Sequence, residues 1–408
     1  MPYQTKTRSF NRTNTRRSGG QSFGGNRRRN TGGNRRGPKK DYIHPSRFVQ
    51  AAKPVEREEY VPTHKFDDFM VADLIKTNLK NKGFETPSPI QDQAIPVILT
   101  GCDLIGIANT GTGKTAAFAI PMINKLMLLP GSRAIIMAPT RELAQQIEQE
   151  CREIGKGSRL RGALLIGGAS MGPQLRDLRE NPQVVIGTPG RIKDHMERGT
   201  LDLSDFDTVV LDEVDRMLDM GFINDMTEIL SGMPADRQSL FFSATMDRKV
   251  RDLIDRFSTE PVSVSVKQGE TSENVHQDIV AYETTGDKII QLHNILLDEA
   301  VEKVIIFDDT QRSVERLSDE LVERGFKADA IHGGKNQGQR QRALQKFKKS
   351  DISILVATDV AARGIDVADV THVINFSTPQ SYEDYVHRIG RAGRAGRVGH
   401  ALTFVSVR

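Results

Sequence analysis

The chain has 408 residues, 37% apolar and 27% charged, and contains no run of the roughly 18 or more apolar residues that a membrane-spanning helix needs. Its start lacks the apolar core of a secretory signal, and its two cysteines, Cys102 and Cys151, stand far apart, which argues against a disulfide framework or a cysteine-built zinc site and fits a reducing, cytoplasmic compartment. The formal net charge of +4 conceals a split: residues 1–40 hold twelve Lys/Arg and no acid, leaving 45 basic and 53 acidic residues, a net of −8, for the rest.

In chain order, the first segment is GGQSFGGNRRRNTGGNRRGPKK at 19–40. Such a composition buries too little apolar surface to offset its ordering entropy, so residues 1–60 are expected to form a disordered tail and linker. The charge suits attachment to RNA or DNA phosphates, or to ribonucleoprotein partners; a purely solubilising tail is the alternative. Residues 41–64, with Pro45, Pro54 and Pro62, read as a connector.

From Phe66 onward short β-rich runs alternate with helical periods: LIGIA (104–108), RAIIMA (133–138), VVIG (184–187), TVVL (208–211) and SLFFS (239–243). Near-continuous apolar strands separated by helices imply a parallel sheet covered on both faces. SVKQGETSENVH (265–276) reads as a linker, and a second series follows: KVIIF (303–307), ADAIH (328–332), SILVAT (353–358), HVINF (372–376) and ALTFV (401–405). The fold class is therefore α/β with two domains, 61–267 and 268–408, behind the basic tail.

IANTGTGKTAAF (107–118) places Thr110, Gly111, Thr112 and Gly113 between a strand and a helix opened by Lys114 and Thr115. Glycines let backbone N–H groups curl around an anion, and a helix N-terminus adds partial positive charge. Lys114 is placed to reach the β/γ-phosphates, and the Thr115 hydroxyl to ligate Mg2+. In VVLDEVDRM (209–217) a strand runs into carboxylates, and ligands sit at the carboxyl ends of parallel strands. Asp212 is the candidate for holding Mg2+ and Glu213 for deprotonating the attacking water.

Together these segments resemble the DEAD-box RNA helicases, with DEVD at 212–215 carrying Val214 where alanine is usual, and the other motifs of that family following in order across 66–405. The resemblance implies two RecA-like domains, ATP and Mg2+ as cofactors, and single-stranded and duplex RNA as partners, in a monomer with no membrane attachment. GFETPSPIQ (83–91) resembles the adenine-recognition segment, with Gln91 on the adenine edge, Phe84 stacked on the ring and Phe66 supporting both. SAT at 243–245 resembles the coupling segment, with Ser243 and Thr245 bonded to Asp215. Pro139, Thr140, Arg141, Gly167, Gly168, Thr188 and Arg191 match RNA-backbone contacts of the first domain, although Thr140 and Thr188 are also plausible helix N-caps.

In the second domain Gln337, Arg340 and Thr358 match RNA contacts, and Asp366 a ribose contact. In HRIGRAGR (387–394) three arginines among glycines look incompatible with a packed core. The resemblance makes Arg391 and Arg394 catalytic fingers on the γ-phosphate, and Arg388 a contact to ATP or to the first domain. Ala108 departs from the strict phosphate-loop pattern, which has glycine there, and Asn109 and Ala392 depart from the family pattern, none of them removing a charged group. The family continues past a strand like ALTFVSVR into a helix that covers the second sheet, so exposed apolar surface is expected there. The implied activity is ATP-dependent local unwinding or remodelling of RNA duplexes and ribonucleoproteins through closure of the two domains on single-stranded RNA. A related DNA helicase, or a nucleic-acid chaperone working through its tail, are the competing readings.

Overall fold

The computed structural model of the chain describes residues 43–52, 60–109, 111–266, 274–362, 367, 369–393 and 398–407. The tail through residue 42, together with Thr110, Asp366 and Arg394, lies outside the described residues.

The first lobe is a seven-stranded sheet built from β1 (Leu104–Ile107), β2 (Ala134–Met137), β3 (Gly162–Leu165), β4 (Val184–Gly187), β5 (Thr208–Leu211), β6 (Gln238–Ser243) and β7 (Val262–Ser265), in the order β3-β4-β2-β5-β6-β1-β7. The second is a six-stranded sheet of β8 (Val275–Tyr282), β9 (Val304–Phe307), β10 (Ala328–Ile331), β11 (Ile354–Ala357), β12 (His372–Asn375) and β13 (Gly399–Ser406), in the order β10-β11-β9-β12-β13-β8. The paired strands in both sheets run parallel. Side chains alternate across each sheet: Ala134 and Ile136 face one core while Ile135 and Met137 face another. In the second lobe Ile305 and Phe307 oppose Val304 and Ile306 in the same way. Two buried faces explain why these strands read as unbroken apolar runs.

The helix Arg141–Ile154 buries Leu143, Ala144, Ile147, Cys151 and Ile154, a stripe at helical spacing. Thr140 caps it, its Oγ1 accepting the Leu143 N–H at 3.2 Å. Thr188 also stands at the N-cap position, of the helix Pro189–Glu197, but without a side-chain cap bond; that helix opens with Pro189 at its first position.

Three sequence expectations are corrected. The linker is shorter than 265–276, because β7 extends to Ser265 and β8 begins at Val275. Val214, which the run of strand into carboxylates at 209–217 places at a strand end, instead starts the helix Val214–Asp219 with its side chain fully buried, β5 having stopped at Leu211. Within the stretch read as tail and connector, Pro45–Phe48 forms a 3-10 turn that buries Phe48, with Ile43, against Val275, Tyr385, Ile389 and Ala401 of the second lobe.

On one face of the second sheet His372, His400 and His276 occupy paired positions on β12, β13 and β8. The rings of His372 and His400 stack at 4.8 Å, and those of His400 and His276 lie 5.8 Å apart. Burial, then the neighbouring His400, pushes His372 down to about 4, only partly opposed by Asp298, and burial with His276 lowers His400. At His372 the unfolded chain binds more protons than the folded one between about pH 6.5 and 4. Its contribution to stability is full above pH 6.5 and is lost as the pH drops through that window, while the raised Asp212 carboxyl contributes with the opposite sign. Thermal melts of wild type and His372→Phe from pH 7.5 to 4.5 should therefore differ in slope, the variant losing less stability as the pH falls.

Candidate functional site

The loop after β1 turns on Gly111 and Gly113, at φ 85° and 91°. A side chain at Gly113 would also meet the Gln91 amide, since an added Cβ would lie 2.5 Å from its Nε2. Glycine is thus required twice over, by backbone angle and by space. Gln91 is buried; its Nε2 donates to the Gly113 carbonyl at 3.1 Å and its Oε1 accepts from the Ser88 N–H at 2.9 Å. One N–H and one lone pair of the amide remain for a ligand. Phe66 and Phe84 meet edge to face at 5.5 Å. The Lys114 Nζ donates to the Ala108 carbonyl at 3.0 Å, folding back over the loop.

A cleft of about 250 Å³ brings Phe84, Gln91, Gly111, Gly113, Lys114, Thr115, Asp212 and Glu213 together. Gln146 also lines it, and its buried Nε2 has no hydrogen-bond partner among the described residues. It sits in a helix whose sequence signals only amphipathicity, so no pattern singles it out. Asp92, next to Gln91, was likewise not anticipated. Its buried carboxylate accepts from the Tyr60 hydroxyl at 2.5 Å, the Thr63 N–H at 2.8 Å, and both the N–H and Nδ1 of His64. Burial works to raise this carboxyl, but these bonds outweigh it and hold the group below its ordinary range.

Asp212 is the opposite case. Burial pushes its carboxyl up to about 6; Lys114 pulls it down, while Glu213 and Asp215 add to the rise. A buried acid so poorly neutralised, beside the Thr115 hydroxyl, suits a hard divalent cation and oxygen ligands. Glu213 has left-handed backbone angles (φ 55°, ψ 55°), an uncommon conformation for a side-chain-bearing residue, and its N–H donates to Asp212 Oδ1 at 3.0 Å.

Asp215 Oδ2 accepts from the Ala244 N–H and the Thr245 N–H, both at 3.0 Å, and from Thr245 Oγ1 at 3.2 Å. The expected Ser243 bond is absent: its buried hydroxyl has no partner among the described residues, and the Ala244 amide, not Ser243, joins Thr245 on Asp215. The Ser243 carbonyl instead accepts from the Ala108 N–H, tying β6 to the phosphate loop.

A second cleft, of about 520 Å³, gathers Pro139, Thr140, Arg141, Gly167, Thr188 and Arg191 of the first lobe with Arg340 of the second. Arg141 lies against Gly168, where a Cβ would come within 2.1 Å of its guanidinium. Arg340 forms a buried ion pair with Glu142 at 2.8 Å, and Gln337 Nε2 donates to Gln145 Oε1 at 3.1 Å. Both second-lobe residues thus bridge the lobes at the edge of the cleft. Thr358, also buried, starts the turn into Asp359–Ala362.

The arginine segment overturns the expectation that it cannot be packed. Arg388 is 2% exposed and Arg391 4%. The Arg388 hydrogen bonds stay within the second lobe: its Nε and Nη2 clasp both oxygens of Asp359, at 2.5 and 2.7 Å, and its Nη1 reaches the Ser377 carbonyl at 2.7 Å. A guanidinium satisfied on all sides can be buried where a lone charge cannot. Arg391 shares a cavity wall with Arg216, on the helix that follows Glu213.

Comparison with known proteins agrees with this geometry. Residues 88–253 match the DEAD/DEAH box helicase family and 287–396 the helicase conserved C-terminal domain. The chain is 46% identical over 347 residues to the DEAD-box ATP-dependent RNA helicase CshA of Bacillus licheniformis, covering 85% of this chain and 71% of that one. Identity to CshA of Bacillus subtilis is also 46%, covering 85% and 70%. Among solved structures, S. cerevisiae Dbp5 bound to RNA and ADP BeF3 aligns with a TM-score of 0.73 at 29% identity, covering 84% of this chain and 90% of that one. A DEAD box protein from Methanococcus jannaschii aligns at 0.51 despite 40% identity, covering 85% and 94%. The chain belongs to the DEAD-box ATP-dependent RNA helicase family.

Asp359→Ala should strand the buried Arg388 charge and cost about 3–5 kcal/mol, read as a lower denaturant midpoint for the second lobe. An unchanged midpoint would remove Arg388 from its structural role.

Proposed function

We propose that the chain hydrolyses ATP when its two lobes close on single-stranded RNA, and that gripping one strand by its backbone expels the other from a short duplex. The observation that carries this reading is the division of both sites across one seam. Lys114, Asp212 and Glu213 lie on one lobe and Arg391 on the other, while Glu142 is ion-paired to Arg340 beside the second cleft.

Lys114 releases the Ala108 carbonyl to bind the β/γ-phosphates, and Gln91 and Phe84 hold the adenine. Thr115 and Asp212 are the residues that would hold Mg2+, which neutralises phosphate charge when bound. Glu213 accepts the proton of the attacking water. Arg391 and Arg394 stabilise the charge that spreads over the transferred phosphoryl group. Asp215, held by Ala244 and Thr245, transmits nucleotide state to the lobe contact. Pro139, Thr140, Arg141, Gly168, Thr188, Arg191, Gln337, Arg340 and Thr358 hold phosphates and sugars rather than base edges, which gives little sequence preference. Asp366 contacts the ribose. We read the enzyme as a cytoplasmic monomer whose basic tail adds affinity for RNA or ribonucleoproteins.

The test is the ATPase rate with and without single-stranded RNA, with single-stranded DNA as the control for a DNA helicase. RNA should stimulate and DNA should not. Lys114→Ala should abolish turnover, and Arg391→Ala should lower kcat by about 10³-fold. A rate insensitive to Arg391→Ala would refute cross-lobe catalysis. Deleting residues 1–40 should weaken RNA binding, more so at low salt, while leaving RNA-stimulated hydrolysis in place. Loss of that hydrolysis would favour the chaperone reading.

A further inference from the structure

The segment Ile43–Gln50 precedes the first lobe in the chain but packs on the second. Ile43 and Phe48 complete an apolar cluster with Val275 of β8, Ala401 of β13, and Tyr385 and Ile389 of the helix Tyr382–Ile389. The Phe48 and Tyr385 rings lie 4.7 Å apart, and the Arg47 guanidinium sits 3.8 Å over Tyr382. Gln50 pairs antiparallel with Gln277 on the outer strand β8, through N–H···O bonds of 3.0 and 2.8 Å. The Tyr385 hydroxyl donates to the side chain of that same Gln277 at 2.9 Å. The segment is therefore joined to one helix by two ring contacts and, through Gln277, by a hydrogen bond.

That helix is only 8 residues long, too short to hold its own geometry. It carries Arg388 three residues after Tyr385 and leads directly into Arg391. One side is fixed by the Arg388–Asp359 clasp and the other by Phe48. The chain then continues toward Tyr60, whose hydroxyl is bonded to Asp92 beside Gln91.

We propose that Ile43–Gln50 is a positioning element for Arg391: by bracing the helix Tyr382–Ile389 it sets the aim of the cross-lobe guanidinium, so that RNA-stimulated hydrolysis depends on residues outside both lobes' sheets. The inference rests on the ATPase reading above. Phe48→Ala in the full-length chain, assayed well below its melting temperature, should lower RNA-stimulated kcat roughly tenfold or more, because small misplacement of a reacting group is costly. KM for ATP should stay near wild type, since the first-lobe pocket is untouched. Phe48→Leu should restore much of the rate. Arg47→Ala, at a surface position, should give a smaller loss of the same kind, and carries the test if Phe48→Ala does not fold. A brace that merely stabilises the second lobe would lower Tm and leave kcat below the transition unchanged; that result overturns the proposal. If the wild-type chain shows no RNA-stimulated hydrolysis, the proposed function itself has failed. An active wild type with kcat indifferent to Phe48→Ala and Arg47→Ala sinks this inference alone.

Discussion

Charge taken out of water at the carboxyl edges of two parallel sheets is the constraint on which the rest of the molecule depends. Because the paired strands of each sheet run the same way, their carboxyl ends deliver the chain's working loops to one edge. There Asp212 is buried, and its carboxyl sits at about 6 because Lys114 does not fully offset burial and the neighbouring acids. Positive charge brought by ligand or by the other lobe is worth more here than it would be in water. The second lobe shows the opposite solution. Arg388 is as deeply buried, yet Asp359 and the Ser377 carbonyl satisfy it, so it serves the architecture rather than the chemistry.

The same logic applies to the seam. Glu142 is buried at the start of its helix, and its ion-pair partner Arg340 belongs to the other lobe. Separating the lobes exposes both charges to water; closing them makes each depend on the other. Burial lowers the pKa of Arg141, and the nearby Arg340 lowers it further. Glu142 opposes that shift, so one carboxylate serves two guanidinium groups contributed by different lobes to one cleft.

The alternation of strands and helices, the phosphate loop and the DEVD segment were legible in the sequence because each is local. Runs such as VVIG and TVVL are apolar on both faces, and Gly111, Gly113 and Lys114 declare their geometry within four residues. What was misread depends on distant partners. Ser243 and Thr245 look equivalent around an alanine, yet only Thr245 bonds Asp215, joined there by the backbone amide of Ala244. The three arginines of HRIGRAGR look incompatible with a packed core until Asp359, about thirty positions earlier, is placed beside Arg388. Gln146 and Asp92 carry no local signal, because an amide or carboxylate on an amphipathic helix is ordinarily a surface group.

Phe48 marks the limit of local reading. A single aromatic in a polar, proline-bearing connector has no period that would place it on any face. Its significance arises only when β8 becomes the outer strand of the second sheet and the helix Tyr382–Ile389 needs a neighbour. An outer strand offers unpaired N–H and C=O groups, and Gln50 takes one such pair at Gln277. The chain thus completes its second lobe with residues that come before its first. Part of the second half's apolar packing, Ile43 and Phe48, therefore lies upstream of the first half, while its two main clusters are built from second-lobe residues alone.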